Sequence, residues 1–140
     1  MVSVPVKTAR VLLVDDHPAV VRQVEALLSG EFEIVGALAD GTNLPAEIAR
    51  SQPDLLLLDI TLPWISGIAL ARELIGGMSA PRIVFLTVHE DSDYAREAFA
   101  AGGAGYVVKS RLASDLIPAL HAALNDQRFV SPNIAPDESA

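Results

Sequence analysis

Five short aliphatic runs constrain this chain more than any other feature. Each is followed by a stretch of helical periodicity, and four of the five end on a polar side chain. Val11-Leu12-Leu13-Val14 ends at Asp15-Asp16, and Leu55-Leu56-Leu57-Leu58 ends at Asp59-Ile60. Ile83-Val84-Phe85-Leu86 ends at Thr87, and Tyr106-Val107-Val108 ends at Lys109. A weaker, more alternating run covers residues 32–38. Near-continuous apolar runs of this length suit strands buried on both faces, as in a parallel sheet.

The segments between the runs are amphipathic. Val20, Val21, Val24, Leu27 and Leu28 form a helical stripe that Gly30 ends. Leu44 to Ser51 predicts a second helix, with Pro45 tolerated in its first turn. Residues 66–75 predict a third, stopped by Gly76-Gly77, and residues 91–101 a fourth, stopped by Gly102-Gly103. The fifth covers 112–125, with Ser114 as its candidate N-cap. Pro118 falls just after its first turn and predicts a distorted start. Strict alternation of five strands and five helices implies a three-layer, doubly wound α/β domain around a five-stranded parallel sheet, with right-handed crossovers. Residues 1–8 read as an arm, 9–132 as the domain and 133–140 as a tail or the start of a linker.

Composition narrows the classes of function. Eighteen acidic against ten basic residues give a net charge of −8, which argues against this chain gripping a phosphate backbone and suits a cation. The absence of cysteine removes disulfides, thiolate metal sites and thiol catalysis. No apolar run approaches the roughly 18 residues of a membrane span. Residues 1–10 do not read as a secretory leader, so a cytoplasmic location is expected.

In open parallel sheets, ligands bind beyond the carboxyl ends of the strands. The residues that end the runs therefore matter most: Asp15, Asp16, Asp59, Thr87 and Lys109. Taken singly, each has an ordinary explanation. Asp16 or Thr87 would cap a following helix, Asp59 would be a loop carboxylate, and Lys109 a solvated lysine. Taken together, they place three carboxylates, a hydroxyl and an ammonium at one sheet edge. Three carboxylates in one crevice repel one another, and a hard divalent cation such as Mg²⁺ removes that cost. With Lys109 opposite the metal, the site suits a phosphoryl group, and an aspartate can serve as its nucleophile.

The phrases "VLLVDDHP", "PDLLLLDITLPWISGIAL", "RIVFLTVHED" and "AGGAGYVVKS" resemble the receiver domain of bacterial two-component response regulators across residues 9–132. The resemblance implies a flavodoxin-like sheet with strand order 2-1-3-4-5. It implies Asp59 as the phosphoacceptor, and Mg²⁺ held directly by Asp16, Asp59 and the backbone carbonyl of Thr61, with Asp15 acting largely through water. Lys109 would contact the phosphoryl oxygens, with Thr87 and Tyr106 as the switch pair. The implied partner is a histidine kinase or phosphotransfer protein, and homodimerisation is compatible with the family. Such a domain catalyses its own phosphorylation and dephosphorylation only. Ser110 stands where the family usually has a proline after a cis bond. Residues 61 and 89, here Thr and His, are where the family tunes the lifetime of the phosphate.

"DDHP", "GGAGYVVKS" and "NDQRFVSP" look most like receivers joined to a C-terminal helix-turn-helix domain of the LuxR type. The implied output is transcription through a DNA-binding domain outside this sequence. The alternative is a stand-alone or degenerate receiver that docks on a protein. A haloacid-type phosphatase would need a second acid two residues after Asp59, where Thr61 stands. A flavin carrier would need a phosphate-cradling loop where Asp15-Asp16 stand. Trp64 has two readings, packing on the third helix or contacting a partner. His17 and His89 read as loop or helix-start residues rather than ligands, and His121 as a surface residue.

Overall fold

The computed structural model describes residues 8–75 and 80–132. The proposed arm, the proposed tail and the Gly76-Gly77 stop lie wholly or almost wholly outside the described residues. The chain alternates β1 (Arg10–Val14), α1 (Pro18–Leu28), β2 (Glu33–Leu38), α2 (Leu44–Ser51), β3 (Leu55–Asp59), α3 (Gly67–Ile75), β4 (Arg82–Thr87), α4 (Ser92–Ala100), β5 (Gly105–Val108) and α5 (Leu112–Leu124). The strands form one parallel sheet ordered β2-β1-β3-β4-β5, as expected. A short sixth strand, β6 (Phe129–Val130), extends it beside β5. Two residues carry no periodicity, so this strand left no readable mark in the sequence.

The side-chain period of two within each strand divides the core. Leu12, Val14, Leu56, Leu58, Ile83, Phe85, Tyr106 and Val108 face the layer of α2, α3 and α4. Val11, Leu13, Leu55, Leu57, Val84, Leu86 and Val107 face α1 and α5. Leu55 to Leu58 are all fully buried, which explains a run with no polar alternation. Each such leucine contributes about 2 kcal/mol by leaving water.

Some helix ends differ from expectation. Gly30 follows α1 at φ +87°, a backbone position that favours glycine. A 3₁₀ turn over Lys109–Arg111 precedes α5, whose N-cap is Arg111 and not Ser114. Ser114 lies in the first turn and donates back to the Arg111 carbonyl at 3.2 Å. The helix runs on through Pro118, which is exposed, so the hydrogen bond it cannot make is lost on the solvent side. No described peptide bond is cis, the Lys109–Ser110 bond included.

Candidate functional site

Parallel packing of β1, β3 and β5 brings their carboxyl ends to one edge. There the expected carboxylates and Lys109 converge. Ligand atoms of Asp15, Asp16, His17 and Asp59 lie within 4.8 Å of one another. Lys109 Nζ sits 2.8 Å from Asp15 Oδ2 and 3.1 Å from Asp59 Oδ2, with its side chain largely buried. Asp15 and Asp59 are buried, whereas Asp16 is exposed toward the cleft.

Local hydrogen bonds hold these groups. Asp15 Oδ1 accepts the His17 N–H at 2.8 Å, and Asp59 Oδ1 accepts the Thr61 N–H at 3.1 Å. Thr61 thus meets Asp59 through its amide. Gly67 donates to the Ile60 carbonyl at 2.8 Å and packs so tightly that a Cβ there would run into the Asp59 carbonyl. Glycine at the start of α3 is therefore what lets that helix close on the strand end carrying Asp59.

The ordinary alternative, in which Asp16 and Thr87 cap helices, does not hold. α1 begins at Pro18 with His17 as its N-cap, so Asp16 is free of capping duty. α4 is capped by Asp91, whose carboxylate accepts the Asp93 N–H, and not by Thr87. Thr87 is buried and accepts the His89 N–H at 2.9 Å, while Tyr106 donates to the His89 carbonyl at 3.0 Å. The two switch candidates thus grip the same residue of the β4–α4 loop from opposite ends. Burial pushes the Tyr106 hydroxyl pKa up to about 12.

His17 adds a feature that the sequence reading did not include. It starts a helix as expected, but its ring turns into the acidic cluster. Nδ1 lies 3.0 Å from Asp15 Oδ1, 3.2 Å from Asp16 Oδ1 and 3.7 Å from Asp59 Oδ2. Its place next to the acidic pair was the only signal available. His89 lines the same cleft of about 450 Å³, together with Asp59, Thr61, Tyr94 and Lys109. Its ring stacks on Tyr94 at 4.2 Å. His121 is a surface residue paired with Glu31. Trp64 does not pack on α3: it is 88% exposed, at φ +70° in the loop after β3.

The electrostatics are those of a pocket short of positive charge. Burial raises the Asp59 carboxyl above its ordinary pKa, and the nearby Asp15 charge raises it further, against the opposing pull of Lys109 and the Thr61 N–H. Asp15 Oδ2 is buried and close to Lys109, but out of line for a hydrogen bond, so it has no hydrogen-bond partner. Three carboxylates facing one ammonium leave two negative charges, the charge a divalent cation neutralises. Oxygen donors, an excess of negative charge over the Lys109 ammonium and an open mouth fit a hard ion.

The family model for "Response regulator receiver domain" matches residues 11–121. The chain is 28% identical over 127 residues to the transcriptional regulatory protein DegU of Brevibacillus brevis, covering 89% of this chain and 54% of that protein. It is 30% identical over 128 residues to the response regulator GacA of Pseudomonas viridiflava, covering 90% of this chain and 60% of that protein. The chain therefore spans little more than half the length of these relatives. A two-component response regulator of the LuxR family from Aurantimonas sp. SI85-9A1 superposes with TM-score 0.85 at 36% identity, covering 91% of this chain and 93% of that one.

Proposed function

The chain belongs to the response regulator receiver domain family, and from that premise we propose that it is a phosphorylatable switch in which Asp59 is the phosphoacceptor. One observation carries this reading: a buried carboxylate with a raised pKa, ion-paired to a buried lysine and flanked by two further acids. Asp59 attacks the phosphorus of a phosphohistidine on a kinase or phosphotransfer protein. A carboxylate oxygen–phosphorus bond forms, the nitrogen–phosphorus bond breaks, and the imidazole leaves. Lys109, already 3.1 Å from Asp59 Oδ2, stabilises the charge on the transferring oxygens. Mg²⁺, held by Asp15, Asp16, Asp59 and the Thr61 backbone, supplies charge neutralisation when bound.

Output follows from the grip on the β4–α4 loop. A phosphoryl group on Asp59 offers the Thr87 hydroxyl an acceptor to donate to, and a move toward it draws the Thr87 oxygen off the His89 N–H and loosens the peptide that Tyr106 also holds. The equilibrium between two packings of this loop then shifts. The output is transcription through a DNA-binding domain of the kind the relatives use, and the switch works in the cytoplasm. Among the described residues no helix is long and apolar enough to cross a membrane.

Incubation with acetyl phosphate followed by intact-mass spectrometry tests the proposal. One phosphoryl adduct is expected, dependent on Mg²⁺ and absent in Asp59→Asn. An adduct that survives in Asp59→Asn names the wrong nucleophile, and no adduct in any condition overturns the switch.

A further inference from the structure

The His17 ring has a single nitrogen in contact with carboxylates and with an ammonium, and that nitrogen cannot serve both. Its Nδ1 faces one oxygen each of Asp15, Asp16 and Asp59, and also lies 3.2 Å from Lys109 Nζ. These neighbours make contradictory demands. With a proton on Nδ1, the ring suits the carboxylates and repels the ammonium. Without it, the lone pair suits Lys109 and opposes Asp15 Oδ1 and Asp16 Oδ1. A cation placed among the oxygens satisfies the lone pair and the carboxylates together, and leaves Lys109 to Asp15 Oδ2 and Asp59 Oδ2. The backbone has already fixed the ring's approach, because the His17 N–H is held by the same carboxylate oxygen, Asp15 Oδ1.

We propose that His17 is itself a ligand of the ion this pocket takes, through Nδ1, making a site of three carboxylates and one imidazole that favours a borderline ion such as Co²⁺ over Mg²⁺. The preference follows from donor chemistry. Mg²⁺ is hard, demands near-ideal octahedral geometry and keeps its waters, so an imidazole adds little to its binding. Borderline divalent ions accept neutral imidazole readily, and affinity at nitrogen-containing sites rises from Mn²⁺ to Co²⁺. The His17 side chain is 55% exposed with Nδ1 turned inward, so the tautomer that carries its proton on Nε2 would offer Nδ1 as the ligand. The proposal rests on the reading of this pocket as the receiver's metal site, and extends it to the choice of ion.

Two measurements on the full chain decide it. Pulsed electron paramagnetic resonance of bound Mn²⁺ reads nitrogen coupling directly. Titration calorimetry with Mn²⁺, Co²⁺ and Mg²⁺ reads affinity. Nitrogen coupling is expected in the wild type and in His89→Ala, the other cleft histidine, and lost in His17→Ala. The ratio of Co²⁺ to Mg²⁺ affinity should fall about tenfold in His17→Ala. Coupling absent from the wild type, coupling retained in His17→Ala, or equal losses for all three ions would each overturn the proposal. If Mg²⁺ still supports an adduct on Asp59 in those cases, the switch reading stands without it. No binding of any ion to the wild type would overturn both.

Discussion

Two buried aspartates flank the carboxyl end of β5, and they are opposites. Asp59 has Lys109 and the Thr61 N–H on its side, and the Asp15 charge against it. Asp115, on α5, is surrounded by donors. Its Oδ2 accepts Arg111 Nε at 2.8 Å and the Ser131 hydroxyl at 2.7 Å, while its Oδ1 lies 3.3 Å from the second Arg111 nitrogen and 3.1 Å from Ser114 Oγ. The Ser131 oxygen in turn accepts the Val108 N–H at 3.0 Å. Both carboxylates are nearly inaccessible, 1% and 4% exposed, so burial alone does not separate them. Satisfaction does. At Asp115 burial pushes the pKa up, but the hydrogen bonds from Arg111, Ser131 and Ser114 outweigh it and hold the carboxyl below its ordinary value. One cluster is complete and ties β6 to the strand ending beside Lys109. The other lacks positive charge and is poised to take some.

Removing each carboxylate should therefore move stability in opposite directions. Asp115→Ala strands Arg111 and Ser131 beside a buried gap and should cost about 3 kcal/mol in urea unfolding. Hydrogen exchange at Val108 and Ser131 should accelerate with it. Asp59→Asn, with a chelator present, removes one of three crowded negative charges and leaves Lys109 paired to Asp15. It should stabilise the fold by about 1 kcal/mol. Added Mg²⁺ should stabilise the wild type more than this variant, because the ion binds only the folded site. A destabilised Asp59→Asn would mean the pocket is as settled as the Asp115 cluster, and the contrast would fail.

The sequence showed one of these clusters and hid the other, for a physical reason. A parallel sheet aligns strand ends, so Asp15, Asp59, Thr87 and Lys109 could be grouped once the four runs were seen as strands. The core split was legible for the same reason, since Leu55 to Leu58 must point alternately to the two helix layers. Asp115 and Ser131 meet across a helix and a two-residue strand, and no periodicity links them. The fifth helix starts at Leu112 as expected, but its cap was misjudged where tertiary contacts decide it: Ser114 has the chemistry of a cap, yet the 3₁₀ turn after β5 makes Arg111 the N-cap. The turn of the His17 ring and the exposure of Trp64 depend on side-chain geometry that residue order does not encode.

The smallest effect sharpens the comparison most, because the two groups respond to acid with opposite signs. A carboxylate with a raised folded pKa is penalised at neutral pH, and the penalty is relieved as pH falls toward that pKa. One with a depressed folded pKa contributes stability above the unfolded value of 3.8 that is lost as pH falls through the folded one. In chelator, acidification should thus first remove the burden at Asp59, above pH 3.8, and then the support at Asp115, below it. Other carboxylates titrate over the same range, so the signal is the difference between each variant and the wild type. Urea midpoints followed from about pH 7 to about pH 3 should converge for Asp59→Asn and the wild type as pH falls from the raised pKa of Asp59 to 3.8. For Asp115→Asn, whose amide cannot ionise, the gap to the wild type should close only at the acid end. Gaps that close together would mean that the two carboxylates share one environment, and that the pocket holds no charge strain for a cation or a phosphoryl group to relieve.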